Sequence, residues 1–334
     1  MDDRLEAMRA WLLETLSGDT TFHITPASQD ASFRRYFRVF GAAGSTLIVM
    51  DAPPDREDSG RFILIARLLR EVGVNVPEIL AANLQQGFLL LSDLGTVPYL
   101  AELNRGRHDR HRVDRLYDDA MEALSTIQSS VEHGQLPEYD SALLQEEMAL
   151  FPDWFLVHHR KKSLAPTIER ALQDSFDFLQ RAAAEQPRVF VHRDYHSRNL
   201  MARDRDNPGI LDFQDAVWGP ITYDLVSLFK DVYIRWPREW VEEWVLRYRD
   251  LAIDRGILDN VDEATWLRWF DLMGAQRHIK IAGIFARLHH RDGKPGYLAD
   301  IPLTLDYLAE TCGRHPELST LGALLGELRA LSAY

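Results

Sequence analysis

Val191-His192-Arg193-Asp194-Tyr195-His196-Ser197-Arg198-Asn199-Leu200, followed by Ile210-Leu211-Asp212-Phe213-Gln214, is the stretch on which the reading of this chain turns. An apolar run, Val189-Phe190-Val191, leads in, and Leu200-Met201 leads out. The polar segment between them therefore reads as a loop held by two strand ends. Gly209-Ile210-Leu211 is a further short apolar run, of the kind a strand would bury, and it delivers Asp212. These residue types suit phosphoryl transfer, which leaves a protein little covalent work. It must orient a hydroxyl, accept its proton and hold metal ions against phosphates. Asp194 is the candidate base. Asn199 and Asp212 bring an amide oxygen and a second carboxylate, hard ligands that suit Mg²⁺.

His, Asp, Asn and Asp at four fixed offsets arise by chance at on the order of one in 10⁵ starting positions, each type being roughly one residue in 20. The competing reading is a polar hairpin in which Asp and Asn cap turns, a common role for any one of them but not for the set. A metal site on His192 and His196 is a weaker alternative. Their spacing suits a helix rather than a loop, and no further ligand cluster lies near in sequence.

Outward from this island, the segments before residue 98 are β-rich. MDDRLEAMRAWLLETL opens the chain as a surface helix, with Leu5, Met8, Leu12 and Leu16 in period. Residues 33–39 and 46–50 read as strands around the turn GAAGS. RFILIARLLREV reads as a helix, and EILAANLQQGFLLLSDLG as two strands joined by a polar turn. From Pro98 the pattern is mainly helical, with spans expected at 109–132, 141–160, 164–185, 238–256, 262–290 and 302–311. The expected architecture is α+β and two-lobed. A small β-rich lobe spans 1–94 and a larger helical lobe 95–334, with the boundary near Asp93–Thr96.

The bulk numbers narrow the class. The chain has 334 residues, 46% of them hydrophobic, which suits two lobes with sizeable cores. A net charge of −13 argues against broad binding to nucleic acid or anionic membranes, since phosphates repel it. The single cysteine, Cys312, forms no internal disulfide and fits a reducing cytoplasm. The acidic start is unlike a signal peptide, and no apolar run is long enough to span a bilayer.

His-x-Asp-x-His-x-x-Asn followed by Asp-Phe resembles the aminoglycoside phosphotransferase and choline kinase superfamily, over nearly the whole chain. Longer stretches are similar to the bacterial anomeric kinases of N-acetylmuramate and N-acetylglucosamine in cell-wall recycling. They include SQDASFRRYFRV, TLIVMDAPP, GILDFQDAVWGPITYDL and QRHIKIAGIFARLHHRDGKPGYLADIP. The resemblance implies a protein-kinase-like fold and an ATP-dependent, Mg²⁺-using kinase of a small molecule. It makes Asp194 the base and Asn199 and Asp212 the metal ligands. LLLSDLG becomes the hinge, with Leu91, Ser92, Asp93 and Leu94 contacting adenine through the backbone. Asp224 would brace the catalytic loop, and His192 would serve as its structural histidine beside His196. Gln214 in place of glycine, and WGPITYDL directly after, separate the chain from protein kinases, whose long activation segment is missing.

Two departures from the pattern stand out. Met50 occupies the position of the phosphate-anchoring lysine, and Phe62 that of its glutamate partner. Arg34, Arg35 or Arg38 is expected to replace the lysine, with Ser28 and Ser32 letting backbone N–H groups approach phosphate. On the acceptor side, Arg277 and His278 belong to a basic run that favours a neutral or anionic amino sugar, and Trp154 and Trp236 are candidates to stack on it. The alternatives are an aminoglycoside or amino-alcohol kinase and, given the missing lysine, a pseudokinase that regulates a partner.

Overall fold

A computed structural model describes residues 2–16, 22–29, 33–41 and 44–330. Ser32 lies outside them, as does the side chain of Ser28. The chain divides into two compact units, residues 1–98 with 200–215, and residues 99–199 with 216–334. The expected division lay at residue 94. The break falls at Pro98, and the segment carrying Asp212 belongs with the N-terminal unit.

The first unit is built on a five-stranded antiparallel sheet. Helix α1 (Asp3–Thr15) starts at Asp2, whose carboxylate accepts from the N–H groups of Arg4 and Leu5. Strands β1 (His23–Gln29), β2 (Arg35–Phe40) and β3 (Thr46–Asp51) follow, then α2 (Ser59–Glu71), capped by Asp58, then β4 (Ile79–Asn83) and β5 (Phe88–Ser92). The sheet order is β1-β2-β3-β5-β4. Phe88 and Leu90 of β5 join Met8, Trp11, Leu12, Val39 and Val49 in one core cluster. Leu89 and Leu91, pointing to the other face by the strand's alternation, are buried as well. That explains why LLL reads as a continuous apolar run rather than an alternating one. The two-residue strands Leu200–Met201 and Gly209–Ile210 pair as a small hairpin in this unit. It is tied to the sheet-bearing part by Ile210 N–H donating to Asn75 O (2.7 Å).

The second unit is helical: α3 (Tyr99–Arg105), α4 (Arg110–Ser130), α5 (Ser141–Leu150), α6 (Pro166–Ala184), then strands β6 (Arg188–Val191) and β7 (Val217–Pro220), then α7 (Tyr223–Phe229), α8 (Arg238–Asp254), α9 (Glu263–His290), α10 (Ile301–Arg314) and α11 (Ser319–Ala330). Helix α9 is its axle. At 28 residues it runs about 42 Å, with α5, α6, α7, α8 and α10 packed around it. From Trp269 to Gly283 every residue is buried. The periodicity of a surface helix is accordingly absent, and the Asp262 carboxylate caps the helix by accepting from Thr265 N–H. The expected helix over 141–160 changes hand-hold midway: Phe151–His159 is π-helical. Pro152 has no N–H to give to the preceding turn, and α9 crosses so close that a Cβ on Gly283 would meet Leu150 C at 2.4 Å. No helix among the described residues is long and apolar enough to cross a membrane.

Candidate active site

Strand β6 delivers the loop that begins at His192, and its antiparallel partner β7 leads into α7, which carries Asp224 in its first turn. The pairing thus places Asp224 beneath the loop. Its carboxylate accepts from the backbone N–H of His192 (2.6 Å) and of Arg193 (3.0 Å). Asp224 is fully buried, and burial pushes its carboxyl up to about 7 against the pull of those two bonds. Arg193 takes a left-handed φ of 76°, the kink that turns the chain toward Asp194. Asp194 N–H donates to His192 Nδ1 (3.3 Å), and the His192 ring packs edge-on to Tyr195. Downstream, Ser197 N–H donates to Asp231 (3.0 Å), a buried anchor that the sequence reading passed over.

Within the loop the side chains are sorted. Asn199 Nδ2 donates to Asp194 O (3.0 Å), which fixes the amide's orientation. His196 N–H also donates to Asp194 O (3.0 Å), and its ring stands at right angles to Tyr233. The Asp194 side chain is 46% exposed, and Arg277 Nη2 approaches its Oδ1 at 3.6 Å. Burial alone would raise this carboxyl. The charge of Lys280, then of His196, Arg277 and Arg193, outweighs it and holds Asp194 down at about 2.

A buried ionic cluster stands behind the loop, and sequence reasoning missed it. Glu147 of α5 pairs with Arg193 and with Lys280 of α9 (2.8 Å), and Tyr139 donates its hydroxyl to it. Lys280 also donates to Tyr223 OH (2.9 Å), and Gln276 Nε2 to Tyr139 OH (3.3 Å). Burial opposes the charge on Glu147, but Lys280 and Arg193 win, so its carboxyl is lowered. The only sequence signal was a row of charged residues in a helix too apolar to be a surface helix.

Several expected acceptor residues take other places. Arg277 is only 3% exposed and lies against Asp194, its guanidinium also facing the Tyr223 ring. His278 is buried, stacked on Tyr307 of α10 and donating to Lys230 O (3.2 Å), a core histidine that burial pushes down to about 3. Trp236 is buried in an aromatic cluster with Tyr117, Trp240 and Trp244, and its indole N–H donates to Tyr117 OH (2.7 Å). Trp236 also edges an open cleft of about 460 Å³ with Arg107, His108, Arg235, Pro237 and Trp240. Trp154 stacks on His158 along the π-helical turn.

In the sheet-bearing unit, Met50 is buried, and Phe62 of α2 packs against Phe213 with the rings tilted and centroids 4.9 Å apart. The three candidate arginines are all ion-paired. Arg34 pairs with Glu57 (2.8 Å), Arg35 with Asp51 and Asp2, and Arg38 with Asp93 (2.6 Å) while also donating to Gly95 O (2.9 Å). Arg38 therefore braces the segment from Asp93 to Gly95. Ser92 N–H and Oγ are both bonded to the Glu78 backbone (2.9 and 2.8 Å), and Leu91 pairs with β3 and β4. Asp212 has a left-handed φ of 64°, and Gln214 Nε2 donates to its Oδ1 (2.7 Å).

The model of the phosphotransferase enzyme family matches residues 23–261. The chain belongs to that family. It is a kinase that uses ATP and a small-molecule acceptor. A relative from Pseudomonas aeruginosa named N-acetylmuramate/N-acetylglucosamine kinase is 49% identical, covering 91% of this chain and 88% of its own. A relative of the same name from Neisseria meningitidis is 42% identical over 96% and 95%. Among solved structures, an ADP-bound aminoglycoside phosphotransferase matches with a TM-score of 0.60 at 12% identity, over 92% of this chain and 99% of its own. A choline kinase from Streptococcus pneumoniae matches with the same TM-score, identity and coverage. At that identity the likeness shows the fold, which is the two-lobed kinase-like one.

Proposed function

We propose that this family member transfers the γ-phosphoryl group of Mg-ATP to the anomeric C1 hydroxyl of N-acetylmuramate or N-acetylglucosamine. The observation that carries the reading is the 49% identity, over nine-tenths of the chain, to a relative bearing that name. In the proposed reaction the C1 oxygen forms the new bond to phosphorus, ADP leaves, and the hydroxyl proton passes to Asp194. A hemiacetal hydroxyl is more acidic than an alkyl alcohol, so it suits a carboxylate held as low as Asp194 is. Arg277, beside the carboxylate, orients it.

The donor chemistry fits a hard divalent cation. Asn199 gives its amide nitrogen to the loop backbone, so its amide oxygen is the atom that would meet an ion, and Asp212 brings a carboxylate. The bound ion would neutralise phosphate charge. Arg34, Arg35 and Arg38 are each held by a carboxylate, so the ion pairs favour none of the three as the phosphate contact. The proposed compartment is the cytoplasm, which suits the free, buried thiol of Cys312.

The test is an ATP-consumption screen over N-acetylmuramate, N-acetylglucosamine, kanamycin and choline. Turnover of the two amino sugars with neither cation phosphorylated is the expected result. Phosphorylation of a cation with neither sugar turned over would move the assignment to an aminoglycoside or amino-alcohol kinase. Nucleotide binding without turnover of any acceptor would favour the pseudokinase.

A further inference from the structure

Gln214 stands where kinases of this general pattern place a small residue, and its surroundings are unusual. It is only 3% exposed. Its backbone carbonyl is held by Arg61 Nε of α2 (2.6 Å), and its side-chain nitrogen donates to Asp212 Oδ1 (2.7 Å). Because a carboxylate can only accept, that bond fixes which end of the amide is which. The carbonyl end, Oε1, is buried and has no hydrogen-bond partner in the protein. Next to it, Asp212 sits at a left-handed φ of 64°, a conformation that surrounding contacts must hold. The contacts are Phe213 on Phe62 and the Arg61 and Gln214 bonds, all inside one unit.

A buried acceptor left unmatched costs stability, so a residue that merely filled this space would be apolar. The cost is understandable if a donor arrives with a ligand. Mg²⁺ keeps several of its waters when it binds carboxylates, and those waters are strong donors. Ligating carboxylates are also commonly oriented by a hydrogen bond from a neighbouring side chain. We infer that Gln214 is a positioning residue for the metal at Asp212. Its N–H fixes the rotation of that carboxylate, and its Oε1 accepts from a water in the ion's hydration shell. Arg61 in turn anchors Gln214 to α2, coupling the helix to the metal-bearing segment without a lysine–glutamate pair.

The inference rests on the proposed metal role of Asp212, and the experiment separates the two. Binding of Mn²⁺ in the presence of a non-hydrolysable ATP analogue is titrated by EPR for wild type, Gln214→Met, Gln214→Asn and Asp212→Asn. Melting temperatures are recorded without metal. Methionine keeps the length but has no amide, and asparagine keeps the amide but falls one methylene short. Both Gln214 variants should bind Mn²⁺ about tenfold or more weakly, the usual effect of losing such a support. Their metal-free melting temperatures should fall by no more than about 3 °C, a small change for a chain of this size. Should Gln214→Met fail to fold, Gln214→Asn is held to the same threshold. Mn²⁺ affinity within twofold of wild type in the folded variants, with Asp212→Asn impaired, overturns the inference alone. Unchanged affinity in Asp212→Asn overturns the metal reading and the inference together.

Discussion

At the scale of single residues, the loop around Asp194 separates groups that act from groups that hold. Asp194→Asn keeps the shape and the backbone bonds of the loop but removes the proposed proton acceptor. Turnover should drop about 10²–10⁴-fold while ATP binding and melting temperature stay near wild type. Near-normal turnover would remove Asp194 from the mechanism. Arg277 was expected to pair with a substrate carboxylate, yet it lies almost buried against Asp194. If it orients Asp194, Arg277→Met should lower kcat/KM about 10-fold or more for the charged and the uncharged amino sugar alike. A loss confined to the charged sugar would return Arg277 to carboxylate recognition.

At the scale of elements, α9 makes the most demanding electrostatic choice in the chain. Asp271, buried within it, binds Lys230 (2.9 Å) and Arg238 (2.7 and 2.9 Å). Burial opposes the Asp271 charge, but Lys230, with His315 and Arg238, drives its carboxyl well below the usual range. Asp271→Ala leaves two cations without their carboxylate in or near the core. The expected cost is about 3–5 kcal/mol, measured by urea unfolding. The pH dependence follows with a definite sign. Folded-state values for Asp271 and Glu147 are depressed, so their stabilisation is present above the unfolded carboxyl value, near 4, and is lost as pH falls below it. The wild-type melting temperature should decline steeply from about pH 5 to pH 3, and less steeply in Asp271→Asn. Equal slopes would show that other carboxylates govern acid unfolding.

At the scale of the molecule, the path of the chain between the units matters. Residues 200–215 depart from the middle of the helical unit's sequence and belong to the sheet-bearing one. They supply Phe213 to Phe62, the Ile210 bond to Asn75 and the Gln214 carbonyl to Arg61. A fragment of residues 1–98 should therefore be poorly folded on its own, with few dispersed amide resonances. The same fragment joined by a short linker to residues 200–215 should gain protection from hydrogen exchange in α2. A well-folded 1–98 fragment would show that the segment adds nothing to that unit. The basic run that holds Arg277 also resolves at this scale. Arg277 and Lys280 turn inward to Asp194 and Glu147, while His289 and His290 gather with His159 of the π-helical turn.

The sequence by itself determined the elements, the family and the loop. Strand periods, helix caps and apolar runs are local, and Asp194, Asn199 and Asp212 were named because their chemistry is legible in a short motif with strand ends on either side. Asp224 was placed by likeness, but only the pairing of β6 with β7 puts its carboxylate under two particular N–H groups. The tertiary structure alone decided the partners. A charged residue in a helix reads the same whether it meets water or a buried carboxylate, so the basic run from Arg277 looked solvated or substrate-facing, and Asp271 drew no reading at all. Packing on every side of α9 made them internal, and burial then required each to find its opposite charge. Gln214 shows the same limit at a single atom: one letter after Asp-Phe says nothing of a buried carbonyl oxygen without a protein donor, on a side chain whose nitrogen binds Asp212.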